Sequence, residues 1–490
     1  MIKTTCSEFD RMAKQHPLVP VAAEILNDLD TPVSTFFKTT KGKYRFLLES
    51  VEGATQRGRF SIIGDTPYLI FKSTGRNVTV RNVEENTGFT VASNPLDVLQ
   101  SLIRKYAGTG LDQIPFSSNG FFGYLGYDAV RHIETLPDDS VDDVDVPDIH
   151  MFIPQRVIVF DNLLNTMTLI LFVRPGNTVV ESYDKAVARI NQMIDTIRAG
   201  ITLKMPANGR TLAQPESNLS RNEYEGMVMQ AKKHIKRGDI FQIVLAQRLK
   251  MPTTVSPFQI YRGLRLVNPS PYMFYMHLDD VDVLGSSPET LVKLKDDTVF
   301  VKPIAGTCRR GATDEEDERL VKDLLNDPKE RAEHNMLVDL GRNDIGRIAA
   351  YGSVKVTDSM AIEKYSHVMH IVSTVQGKLA NNMDAVDVFK ACFPAGTLTG
   401  APKVRAMELI DKFEPNRRGI YGGAVGYMTF NGDMDVCIAI RTIYVKNNTA
   451  YLQAGAGIVA DSIPEREYQE TLNKAHALQR ALSFAEGGLR

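Results

Sequence analysis

At 490 residues, with 43% hydrophobic and 24% charged residues, the chain is long and apolar enough for two or three domains or one large composite fold, and its composition excludes disordered and fibrous classes. Lys and Arg number 57 and Asp and Glu 59, a formal net charge of −2 that is too balanced for a nucleic-acid or anionic-membrane surface. No run approaches the ~18 apolar residues of a spanning helix, and the start, Met1-Ile-Lys-Thr-Thr5, lacks the apolar core of a secretion signal. Cys6, Cys308, Cys392 and Cys437 are far apart and form no Cys-x-x-Cys pair, so reduced thiols and a cytoplasmic location are expected.

Short strand-like runs fill the first part of the chain, at residues 44–48, 61–63, 68–71, 78–80, 157–160 and 167–173. Between them, residues 137–147 carry Asp138, Asp139, Asp142, Asp143 and Asp145 without the ligand spacing or terminal Glu of a calcium loop, and read as a solvated loop. A helix over 181–198 places Ala186, Ile190, Met193, Ile194 and Ile197 on one face. Residues 204–220 are rich in Pro, Gly, Asn and Ser and lack apolar periodicity, which predicts a connection between a region 1–203 and a region 221–490.

After it, Ser220-Arg-Asn-Glu223 predicts a capping box opening a helix through Ile235. Charged helices follow at 315–326 and 330–340. A long β region then includes 426–430 and 434–444 around the hairpin signal Asn431-Gly432, and a final helix spans 467–484. Strands arriving as hairpins among helices favour an α+β fold over a doubly wound parallel sheet.

Two Glu-x-x-Glu pairs, Glu330 with Glu333 and Glu467 with Glu470, each project from one helix face. Together they would suit a hard cation such as Mg2+; separately they are solvated faces, and Glu470 with Lys474 at i,i+4 fits that reading equally. His370 lies in a β-branched run, as a hydrogen-bonded core residue or a catalyst. Arg441 sits in a run apolar on both faces, where a buried guanidinium needs an internal carboxylate or an anionic ligand. The glycine-rich turns Pro303-Ile-Ala-Gly-Thr307, Gly396-Thr-Leu-Thr-Gly-Ala-Pro-Lys403, Tyr421-Gly-Gly-Ala-Val-Gly426 and Ala454-Gly-Ala-Gly457 can bring backbone N–H groups to an anion, yet none is a nucleotide motif.

Ser287-Pro-Glu289, the 303–307 turn, the block 330–344, the run 365–373 and the turn 396–403, in this order, resemble the chorismate-utilising enzymes. The resemblance covers essentially the whole chain and is densest from Arg221 onward. It implies an α+β fold of orthogonally packed antiparallel sheets flanked by helices, with both regions forming one composite structure. It implies Mg2+ held directly by Glu333 and Glu470 and through water by Glu330 and Glu467. Gly306, Thr307, Tyr421, Arg441, Gly455, Ala456, Gly457 and Lys474 match positions that contact chorismate. Glu289 matches the general acid for the departing C4 hydroxyl, with Thr397 beside it, and His370 the histidine associated with pyruvate loss.

Within the family, enzymes that add water use a lysine base where this chain has Gln242, and those that aminate at C4 typically carry a nucleophilic Lys where it has Ala305. The resemblance therefore implies the lyase branch that adds ammonia at C2 and forms anthranilate. Phe46-Leu-Leu-Glu-Ser50 and Asn268-Pro-Ser-Pro-Tyr-Met273 are similar to the feedback-inhibited members, which implies a tryptophan site at Ser50, Pro271, Tyr272 and Met273; a hydrophobic strand packing the two regions together is the other reading. No Gly-x-Cys-x-Gly turn of a glutaminase occurs, so the expected partner is a glutamine amidotransferase subunit in a heterotetramer of two large and two small chains. A 4-amination enzyme and a non-catalytic tryptophan sensor are the alternatives, and retention of all the carboxylates, Thr397 and His370 opposes the second.

Overall fold

The computed structural model describes residues 1–52, 56–108, 119–176, 178–200, 214–365 and 368–489. Residues 204–213 of the expected connection, and Ser366 and His367 of the 365–373 run, lie outside them. Several of the short runs merge: 61–63 and 68–71 belong to one strand, Gln56–Thr74, which pairs antiparallel along its length with Ile149–Asp161. The pair bends where Pro67 meets Pro154 and the register shifts before Leu69. Thr66 takes φ 56° there. Proline has no N–H to give the ladder, so the interruption falls where least is lost.

That bend lets two strands serve two layers, as happens at the corners of orthogonally packed sheets. On one side the ladder continues through Tyr44–Glu52, Tyr272–Leu278, Val281–Ser287, Thr442–Lys446, Thr449–Ile458 and Gln242–Pro252. On the other it runs through Gly120–Leu125, Ala424–Thr429, Met434–Ile438, Thr290–Lys295, Thr298–Val301 and Val368–Lys378. Each ladder passes once from the first part of the chain to the second, at Tyr44–Glu52 against Tyr272–Leu278 and at Gly120–Leu125 against Ala424–Thr429. One core cluster accordingly mixes Phe46, Phe122 and Phe152 with Phe274 and Val425, and Phe46 stacks on Phe122 at 4.6 Å between centroids.

The helices follow their sequence signals. Ser220 and Glu223 form the capping box of Arg221–Arg237, and such a cap is worth about 1 kcal/mol. Pro328–Gly346 and Pro464–Glu486, which carry the two Glu-x-x-Glu pairs, are longer than expected. No described helix is long and apolar enough to cross a membrane.

Two expectations change. The strand expected over 434–444 is two strands, Met434–Ile438 and Thr442–Lys446, because the chain leaves one ladder for the other between them. The acidic loop is solvated as expected, with all five aspartates exposed, although Asp143 pairs with Arg248, Asp138 with Arg417, and Lys446 donates to the backbone of Asp145. The described end of the connection is partly sheet, since Glu216–Ser217 pairs with Lys250 and Leu249.

Candidate active site

The break between the two ladders places Arg441. With φ 48° it sits at the crossing, its carbonyl accepting from Ser286 N at 3.1 Å, and its side chain lies within electrostatic reach of Glu289 and Tyr365. Burial lowers its pKa against the pull of Glu289 and Tyr365, and among the described residues no carboxylate forms an ion pair with its guanidinium. An arginine in that state is short of an anion.

Glu289 follows Val281–Ser287 after Pro288, and its carbonyl accepts from Ile438 N at 3.0 Å. Thr397, in the turn Gly396–Leu398, donates from Oγ1 to Glu289 Oε1 at 2.8 Å. Burial pushes the Glu289 carboxyl up to about 7, while the Thr397 hydrogen bond and the charges of Arg441 and Lys474 hold it down. A carboxyl raised this far can hold a proton near neutral pH.

One wall is the backbone of Thr449–Ile458, paired with Gln242–Pro252 so that Gly455, Ala456 and Gly457 face Ala246, Leu245 and Val244. Gly455 is held from two sides: Lys474 Nζ donates to its carbonyl at 2.9 Å, and its backbone is hydrogen-bonded to the Tyr421 hydroxyl. A Cβ there would stand 3.0 Å from that hydroxyl and from Leu245 O, so glycine alone fits comfortably. Gln242 Nε2 would lie 3.0 Å from a Cβ on Gly457, which puts Gln242, expected to stand where the water-adding enzymes have a lysine, in this same wall.

The opposite wall comes from Ile304–Arg309 beside Val368–Lys378, with a register shift between Ala305 and Thr307. Gly306, at the shift, has φ 70°, and a Cβ on it would sit 3.2 Å from Glu330 Oε2. Past the shift Thr307 faces His370, Oγ1 to Nδ1 2.9 Å. Burial lowers the His370 pKa, and the Tyr365 ring lies edge-on to it at 5.6 Å between centroids. His370 is thus hydrogen-bonded, as the plainer reading has it, and lies within electrostatic reach of Arg441.

Both Glu-x-x-Glu helices reach this site. Burial raises the Glu333 pKa, and the charges of Glu330 and Glu470 raise it further; Glu467 is raised by burial and by Glu470. Glu470 is paired with Lys474 at 2.7 Å. Among the described residues no three metal-binding side chains are clustered closely enough to cage an ion alone. Mutually repelling carboxylate oxygens with room between them still fit Mg2+, which takes one or two carboxylates and completes its shell with waters and substrate oxygens.

Ser50, Pro271, Tyr272 and Met273 line one pocket, so both parts of the expected effector site meet. Leu48, from the same Phe46–Ser50 stretch, and Phe60 line it too, while sequence reasoning missed Val425, Tyr427 and Cys437 on its other walls. The alternation of Val425 and Tyr427 on a hairpin strand was their only signal. Tyr272 is fixed by its hydroxyl, 2.9 Å from both Asp435 Oδ1 and Thr290 Oγ1.

The chorismate binding enzyme family model matches residues 44–480. The chain is 45% identical to anthranilate synthase component 1 of Acetivibrio thermocellus, over 99% of both chains. It is 43% identical to that of Pseudomonas putida, over 98% of both. The crystal structure of anthranilate synthase component I from Streptococcus pneumoniae TIGR4 superposes with a TM-score of 0.78 at 38% identity, covering 93% of this chain and 98% of that one. The menaquinone-specific isochorismate synthase from Escherichia coli, at 20% identity and a TM-score of 0.69, shares the fold.

Proposed function

The chain belongs to the chorismate binding enzyme family, and from that premise we propose that it works as the chorismate-using component of an anthranilate synthase, a lyase. The observation that carries this reading is one cleft holding an arginine without an anion, Arg441, beside a carboxyl raised to about 7, Glu289. Chorismate has a carboxylate on its enolpyruvyl arm for the first and a departing hydroxyl for the second.

In the first half-reaction ammonia adds at C2, the ring double bonds shift, and the C4–O bond breaks. Glu289 gives its proton to that oxygen, which leaves as water, and Thr397 steadies the carboxylate that remains. Arg441 clamps the enolpyruvyl carboxylate, while Tyr421, Lys474, Gly306, Thr307 and the Gly455-Ala456-Gly457 backbone fix the ring. In the second half-reaction the C2 proton is lost as the C3–O bond breaks and pyruvate departs. His370, neutral because burial lowers its pKa and oriented by Thr307, is placed to assist that proton's removal. Mg2+, when bound through Glu333 and Glu470 directly and Glu330 and Glu467 through water, would supply a template and Lewis acid for the ring carboxylate.

Ala305 and Gln242 support C2 amination over the related chemistries, because neither can act as the lysine those chemistries use. Glutamine-dependent activity requires a separate amidotransferase chain, in a complex of two large and two small subunits; the large chain alone uses ammonia. The pocket around Ser50 and Met273 is the site of feedback by L-tryptophan. The test mixes the purified chain with chorismate, Mg2+ and an ammonium salt, follows anthranilate fluorescence, then adds tryptophan. Fluorescence that rises and is suppressed by tryptophan is the expected result; chorismate consumed without anthranilate overturns the C2 assignment.

A further inference from the structure

Behind the glycine wall lies Arg418, among the largest fully buried side chains at 2% exposure. Its guanidinium donates from Nε to Glu414 Oε2 at 2.8 Å and from Nη2 to Glu414 Oε1 at 2.5 Å. Nη1 donates to Leu398 O at 2.6 Å and Nη2 to Val244 O at 2.8 Å. Its plane lies between aromatic rings, 4.7 Å from the Tyr127 centroid and 5.7 Å from that of Tyr421. Glu414 completes the unit by accepting from Ala246 N at 2.9 Å.

A buried ion pair by itself argues little, because desolvation offsets much of its attraction. The partners chosen here argue more. Leu398 directly follows Thr397, which holds Glu289. Val244 and Ala246 pair with Gly457 and Gly455. Tyr421 is bonded to Gly455. One planar fork thus ties together three segments that come from distant parts of the chain and meet at the cleft.

We propose that Arg418 is a positioning residue for the reaction, holding the Thr397 turn against Glu289 and the Gly455–Gly457 backbone in place through the carbonyls of Leu398 and Val244. This rests on the roles assigned above to Glu289 and Thr397. Lysine could keep a charge opposite Glu414 but has no rigid fork with which to bind both carbonyls and the carboxylate.

The experiment measures kcat and KM for chorismate, with ammonium as the nitrogen source, across pH in the wild type, Arg418→Lys, Thr397→Val and the double variant. The Thr397 hydroxyl stabilises the Glu289 anion, so displacing it makes the proton bind more tightly and moves the falling limb of kcat to higher pH. Arg441 and Lys474 face Glu289, and Lys302, Asp344 and Cys392 line the adjoining cavity; none is altered by these substitutions.

Arg418→Lys is expected to lower kcat by roughly tenfold to a hundredfold, to move the limb in the same direction as Thr397→Val, and to add little to it in the double variant. An unmoved limb, or effects that multiply in full, overturns the proposal. If Thr397→Val itself neither slows the enzyme nor moves the limb, the Glu289–Thr397 assignment fails and takes this inference with it. Should Arg418→Lys not fold, Arg418→Met combined with Glu414→Met removes both charges while keeping apolar volume, and the same limb shift is expected.

Discussion

A carboxyl group can donate a proton near neutral pH only if its surroundings disfavour the anion. At Glu289 burial does this, and a hydroxyl and two cations partly oppose it, leaving the group at about 7. The donating form is the protonated one, so kcat/KM should be highest below that value and fall as pH rises through it. Glu289→Gln keeps the shape and removes the proton; a loss of kcat on the order of a hundredfold or more is expected, read by anthranilate fluorescence. A variant with near-normal turnover would remove Glu289 from the acid role. His370 carries the opposite sign. Its pKa is lowered, so its neutral form persists below the usual histidine value, and its loss belongs to the acid side of the profile. His370→Ala should let the aminated, pyruvate-bearing intermediate accumulate, detectable by chromatography of the quenched reaction; equal loss of both half-reactions would contradict that division.

Elements were legible wherever a local rule governs them. Ser220 and Glu223 announced a capped helix, and the structure has it. The break at Arg441 was not legible, because residues 436–445 are apolar almost throughout and nothing local marks where a chain leaves one ladder for another. The buried arginine was readable from its setting, but its strand assignment was wrong for that reason. The pocket proposed for tryptophan shows the same limit: its Ser50 and Met273 sides sit on adjacent paired strands, while Val425 and Tyr427 come from a hairpin far along the chain. Ser50 also has no room behind it, since a Cβ on Gly58 would stand 2.4 Å from Ser50 Cβ. A larger side chain at position 50 must therefore turn into the pocket. Ser50→Phe should raise the tryptophan concentration needed for half-inhibition by roughly tenfold or more, a scale set by the 1–3 kcal/mol typical of overpacking, while turnover without tryptophan persists. An inhibition curve identical to the wild type would move the effector site elsewhere.

At the scale of the molecule, a connection between residues 1–203 and 221–490 suggests two units, yet each ladder crosses from one to the other. Tyr44–Glu52 pairs with Tyr272–Leu278 on one side of the bend, and Gly120–Leu125 with Ala424–Thr429 on the other. Separating the two parts would bare two rows of backbone N–H and C=O groups and the facing sides of Phe46, Phe122, Phe274 and Val425. Each such apolar side chain loses roughly 1.5–3 kcal/mol when exposed, against a total folding stability of about 5–15 kcal/mol for a typical domain. Neither part can absorb several of these losses. The region 221–490 produced alone should therefore be insoluble or inactive, although it carries Glu289, Thr397, His370, Arg441 and all four carboxylates of the proposed metal site. Produced together as separate chains, 1–203 and 221–490 should copurify and regain ammonia-dependent activity, because the pairings that join them do not depend on the covalent connection. A soluble, active 221–490 on its own would mean that the shared core is dispensable and that the chain is two domains after all.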